Sequence, residues 1–121
     1  MKRKLSSQRT NLNHRKKPRR RKNATAANNL AWILATHPAA ELRDGPEAVR
    51  LAEKICAQTN HSQASFLDTL AAAHAEAGQF DKAVEVAERA ERMFAENGDD
   101  KMAGQIKMRL ELFEQRKPYR E

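Results

Sequence analysis

The chain has 121 residues, 40% of them hydrophobic but only 5% aromatic, so a core has to be built mainly from Ala, Leu, Val, Ile and Met. Four glycines and four prolines argue against a turn-rich β-sandwich, and a single cysteine, Cys56, rules out an internal disulfide framework or a Cys-rich zinc module. The longest plain apolar run, Leu30 to Ala35, falls far short of the roughly 20 residues that span a bilayer.

The net charge of +7 conceals a split. Residues 1–23 carry eleven Lys or Arg and no acid, whereas residues 24–121 carry a net charge of −4. The first part has almost no apolar content beyond Leu5 and Leu12 and contains Pro18. It cannot bury enough surface to offset its ordering entropy, and the expectation for 1–23 is a disordered basic arm. Its densest stretch sets Arg15, Lys16, Lys17, Arg19, Arg20, Arg21 and Lys22 around Pro18. Such a tract binds polyanions by releasing condensed counterions, without reading sequence. No aromatic is interleaved to stack on bases. The same composition suits a nuclear localisation tract, and the remaining readings are a solvated tail without a dedicated partner or an arm that exists only because the start codon is placed too early. The segment after the arm, 24–40, is broken by Asn28, Asn29 and His37 and makes a poor signal-peptide core. Clustered cations do not suit a transit peptide, and the expected location is the cytoplasm.

The remainder repeats itself. Glu47-Ala48-Val49-Arg50-Leu51-Ala52-Glu53-Lys54 recurs, 35 residues on, as Lys82-Ala83-Val84-Glu85-Val86-Ala87-Glu88-Arg89. Ala48, Leu51, Ala52 and Ile55 follow helical spacing, as do Ala83, Val86, Ala87 and Ala90. Alanine at these places lets two helix backbones approach closely. A further helix precedes each segment. One runs through Asn28 to Thr36 and ends at His37-Pro38; the other runs from Phe66 to Ala77 and ends at Gly78. Asp44 with Pro46, Ser62 and Asp81 are the expected start signals. After Asn97-Gly98-Asp99, a fifth helix is expected over about 101–115, with Met102, Ile106, Leu110 and Phe113 as its apolar stripe and Met108 and Leu112 flanking it. The expected domain is all-α and spans 24–121. It contains repeat one over about 24–59, repeat two over about 62–97 and a capping helix over about 99–116.

Leu67, Leu70, Ala71, His74, Ala83, Ala87 and Ala90, with the Gly78-x-Phe80-x-x-Ala83 turn, resemble the tetratricopeptide repeat (TPR) family. There are departures: Ala71 stands for the usual glycine, and His74 and Ala87 stand for aromatics. Residues 28–121, including Leu-Ala-Trp-Ile-Leu-Ala-Thr and the final Pro-Tyr-Arg-Glu, resemble the C-terminal end of large bacterial TPR proteins. The resemblance implies an α-α superhelix of two antiparallel helix pairs plus a cap, acting as a protein-binding scaffold. It also implies a groove lined by the first helix of each pair: Asn28, Asn29, Trp32, Ala35 and Thr36, then Ser65, Asp68, Thr69, Ala72 and Glu76. Asn29 falls where some family members hold a peptide backbone or terminal carboxylate. The cations of that clamp are absent, and Asp68, Ala72 and Glu76 hold the corresponding side, which argues against an acidic C-terminal peptide as ligand. Trp32 is either an aromatic anchor or the largest core residue of a small domain.

The search for chemistry yields little. Cys56 and His61 have no second close pair of metal-ligating residues, and His74 is expected to pack between helices. No G-x-S-x-G elbow or Gly-rich phosphate loop occurs. The carboxylates lie among Lys and Arg at helical spacing, as a solvated face does. Neither enzymatic activity nor a metal or cofactor is expected. Three readings stand: an interaction scaffold for a protein or peptide, a nucleic-acid-associated adaptor anchored by residues 2–22, and a fragment of a longer repeat array. Nothing in the sequence covers the first repeat, so exposed apolar surface near Trp32 and Ile33, and self-association through it, are expected.

Overall fold

The computed structural model describes residues 23–121, and every described element is helical. Helix α1 covers residues 23–36. A single 3-10 turn, Ala40–Leu42, leads into α2 (Gly45–Gln58), α3 (Ala64–Glu76), α4 (Phe80–Glu96) and α5 (Asp100–Glu114). From α2 onward each helix packs on the next in sequence: α2 on α3, α3 on α4 and α4 on α5. No described helix is long and apolar enough to cross a membrane. The polyanion-binding residues proposed from sequence, Arg15 to Lys22, lie outside the described residues.

Small residues build the core. Ala31, Ala35, Ala48, Ala52, Ala71, Ala83, Ala87 and Ala90 are all buried, at the spacing that turns one stripe of each helix inward. Phe113, Leu67 and Ile106 are the largest apolar side chains that are fully enclosed. Each contributes about 1.5–3 kcal/mol by leaving water. Helix α3 is the centre of the stack: residues 67–75 are buried without interruption, as befits a helix packed on several sides. Gly45 marks a close approach. A Cβ there would lie 2.8 Å from the Ala77 amide nitrogen, so the start of α2 rests directly on the backbone at the end of α3.

Helices α2 to α5 stop in the same way. In each, the amide two residues past the cap bonds back across the last turn: His61 to Cys56 O, Gln79 to His74 O, Asp99 to Phe94 O and Lys117 to Leu112 O. The pivot residue is left-handed in all four, and it is Gly78 (φ 80°) and Gly98 (φ 80°) but Asn60 (φ 54°) and Arg116 (φ 58°) elsewhere. One start matches its expected signal, since Asp44 accepts from Glu47 N–H; at α5 Asp99 plays the same part, accepting from Met102 N–H. Two starts do not match. The α3 cap is Gln63, while the Ser62 hydroxyl donates to Thr59 O and finishes the preceding turn. The α4 cap is Gln79, and Asp81 sits inside the first turn, favouring the helix through its charge at the dipole's positive end.

Candidate functional site

The face to which α1 and α3 contribute is covered by the chain's own last residues. Arg116, in the left-handed region, turns the chain out of α5, and residues 117–121 continue without regular structure. They end against α1, where Glu121 N–H donates to Thr36 O at 2.9 Å. The cause lies at the end of α1. Its last carbonyls have no partner within the helix. Ile33 O is met by His37 N–H, Leu34 O by Asp44 N–H and Thr36 O by the tail.

Side chains extend this attachment. Trp32 Nε1–H donates to Glu121 Oε1 at 3.0 Å, and Tyr119 O–H donates to Glu121 Oε2 at 3.0 Å. The Trp32 and Tyr119 rings are tilted by 45° with centroids 5.8 Å apart. The Arg109 guanidinium, from α5, lies 5.1 Å from the Trp32 ring centre and 4.7 Å from that of Tyr119. Its Nη1 is held by Asp68 Oδ2 at 2.6 Å. One arginine therefore joins α3, α1 and the tail.

Glu76 anchors the other end. Its Oε2 accepts from Arg43 Nε at 3.3 Å, and its Oε1 accepts from Arg120 Nη1 at 2.6 Å. Arg43 is fixed in turn by the His37 and Pro38 carbonyls. Both carboxylates are largely shielded from water. Burial pushes the Asp68 carboxyl up to about 6, against the pull of Arg109, because the desolvation of the charge outweighs the ion pair.

Of the residues proposed from sequence for a groove, Trp32, Thr36, Asp68 and Glu76 come together around the tail and Arg109. Thr36 and Thr69 are buried, and their hydroxyls bond back to Trp32 O and Ser65 O within their own helices. Ala35 and Ala72 are core residues. Asn29 and Ser65 are exposed, and Asn28 Oδ1 is enclosed without a hydrogen-bond partner among the described residues. Trp32 is half-buried because Tyr119 lies on it. Its neighbours Leu30 and Ile33 stay 48% and 45% exposed. Sequence reasoning did not find Arg43, Arg109, Tyr119, Arg120 and Glu121, which complete the site. The available signal was the chain's only tyrosine, placed next to a proline and an arginine just past the last helix.

His37, His74 and Cys56 contribute to the fold. His74 Nδ1 lies 2.7 Å from Gln79 Oε1 and ties the end of α3 to the start of α4, while His37 Nδ1 accepts from Ala39 N–H. Cys56 is buried, and burial raises its thiol to about 11, the Arg89 charge opposing and Glu53 adding to the shift. Among the described residues no three metal-ligating side chains come together.

These features define an all-helical domain with an α1/α3 face occupied by its own C-terminal segment. No family model, curated protein or solved structure matches the chain.

Proposed function

We propose that residues 23–121 form a TPR-type interaction module, without chemistry of its own, that binds an extended segment of a protein or peptide on the α1/α3 face. The observation that supports this reading is the seating of residues 119–121. There a stretch without regular structure is held through its backbone at Thr36 O, through an aromatic contact at Trp32 and through an ion pair at Glu76. Backbone capture supplies affinity in peptide recognition, and side-chain contacts supply selectivity. A backbone acceptor, an aromatic wall and a shielded carboxylate are the parts such a site needs. The test is selection of binders to the full chain from a random peptide library, with Trp32 emission as the readout of where they dock. Enriched peptides that shift Trp32 emission and lose binding on Glu76→Gln uphold the reading. A library that yields no binders, or binders indifferent to Trp32 and Glu76, ends it.

A second reading rests on the charge split: eleven cations and no acid in residues 1–23. On it, the arm anchors the chain on nucleic acid and the helical domain serves as adaptor. Full-length chain then binds a sequence-neutral duplex with a log–log salt slope of about −5 to −10. Serine at the seven cationic positions of 15–22 flattens that slope by up to about 6. Salt-independent binding, or none at about 100 mM salt, overturns it.

A further inference from the structure

We infer that the α1/α3 face selects a segment in which an aromatic residue is followed directly by an arginine, and that Tyr119-Arg120 occupies the site as an internal ligand which such a partner displaces. The inference rests on the interaction reading above and adds the chemistry of the partner.

Glu76 sets the requirement for a cation. Its Oε2 is committed to Arg43, which belongs to the framework because it is also bound to the His37 and Pro38 carbonyls. Among the described residues its Oε1 accepts only from the tail, from Arg120 at 2.6 Å. Asp68 adds a second carboxylate on the same helix, and this one is already engaged by Arg109. A partner that displaces the tail therefore meets one unmatched carboxylate oxygen on a side chain 16% exposed. A cation answers that need and an acidic segment is repelled.

Trp32 and Arg109 set the requirement for an aromatic ring. The guanidinium lies over the Trp32 ring and is held in place by Asp68, so it also borders whatever packs next to Trp32. In the structure that is the Tyr119 ring, 4.7 Å from the guanidinium carbon. An aliphatic side chain fills the space without the cation–π contact. The order of the two residues follows from the fixed positions of Trp32 on α1 and Glu76 on α3, which adjacent residues of the tail span. Thr36 O and Trp32 Nε1–H supply the remaining bonds, to the next backbone amide and to an acceptor.

The tail is held loosely enough to exchange. It has no regular structure, and its arginine is a third exposed. Its advantage over a free segment is connection, which raises its local concentration to the millimolar range.

The test uses a fluorescein-labelled peptide with the sequence of residues 115–121 and three forms of the full chain: wild type, Y119A/R120A, and Y119A/R120A with E76Q. Weakening the tail is expected to raise affinity for the peptide by at least ~10-fold over wild type, because the internal competitor is lost. E76Q is expected to reverse most of that gain. Peptides with Ala in place of the tyrosine or the arginine are expected to bind at least ~10-fold more weakly than the parent. R120A alone retains Tyr119 against Trp32, and it gives the same order with a smaller gain if the double variant loses its helical melt. Equal binding by wild-type and tail-weakened chains overturns the inference, as does a double-alanine peptide that binds as well as the parent. Exchange of tails between two copies, seen as dimerisation that added peptide does not reverse, also overturns it. If library-selected peptides of other chemistry still bind at Trp32 and Glu76, this inference falls and the interaction reading survives. If no peptide of any kind binds, both fall.

Discussion

Trp32 and Glu121, 89 residues apart, share a hydrogen bond of 3.0 Å that closes helix α1 against the tail. Trp32 is the only tryptophan, so its emission reports the state of the tail. Tyr119→Ala removes the ring that covers it and the stacking partner of Arg109. The expected outcome is a red-shifted emission with a loss of about 1 kcal/mol in stability, the size of one aromatic pair. Fluorescence and a urea melt on the same sample check it. An unchanged emission maximum means that Tyr119 does not shield Trp32 in solution.

Asp68 gives the fold a pH dependence of defined sign. Its carboxyl titrates at about 6 in the folded chain, above its ordinary value, so the folded state holds the proton more tightly than the unfolded state does. The stabilisation from that proton is complete below the ordinary carboxylate range and is lost as pH rises through about 6. Arg109 faces the group at 2.6 Å, and the Glu121 charge raises the value further. Asp68→Asn removes the titration and leaves Arg109 beside a neutral partner. The stability difference between wild type and Asp68→Asn is therefore expected to be larger at about pH 5 than at about pH 7.5, measured by urea midpoints. A difference independent of pH places the carboxyl in its ordinary range.

Two glycines with opposite surroundings separate crowding from propensity. At Gly45 an added methyl meets Ala77 N and Cα at 2.8 and 2.9 Å, and backbone cannot step aside as a flexible side chain does. Gly45→Ala is expected to cost about 1–3 kcal/mol. Gly104 lies inside α5 with nothing within 4 Å of the added atom. Gly104→Ala is expected to stabilise by up to about 1 kcal/mol, through helix propensity alone. Thermal melts of the two variants should move in opposite directions.

The helices were legible because alanine stripes, Asp44, Gly78 and Asp99 are local signals, each acting within a turn or two of where it stands. Ser62 and Asp81 misled for a related reason. Both are good cap residues, but Ser62 closes the preceding turn and the backbone at Gln79 already begins α4. The carboxylates at Asp68 and Glu76 and the ring at Trp32 were visible as candidates for a binding face. What occupies that face was not. Arg109 meets Asp68 across 41 residues, and Arg120 meets Glu76 across 44. No periodicity carries such pairings, which depend on the turn at Arg116. That turn is itself hidden, because arginine is not a residue that announces a left-handed conformation.

Arg116 allows the turn to be tested on its own. Its φ of 58° lies where an L side chain other than Asn or Asp costs roughly 1–2 kcal/mol, and glycine escapes that cost. The arginine has a compensating contact, since its guanidinium carbon lies 5.3 Å from the centre of the Phe80 ring. A cation–π contact at an exposed site contributes about 0.5–1 kcal/mol. The backbone effect is the larger of the two. Arg116→Gly is therefore expected to stabilise by about 0.5–1 kcal/mol, with the tail still docked and Trp32 emission unchanged. Arg116→Ala loses the ring contact and keeps the backbone cost, so it is expected to destabilise by a similar amount. Urea melts of both variants check the pair. If the glycine variant is the less stable, the contact with Phe80, and not the geometry of the turn, is what holds the end of α5 to the start of α4.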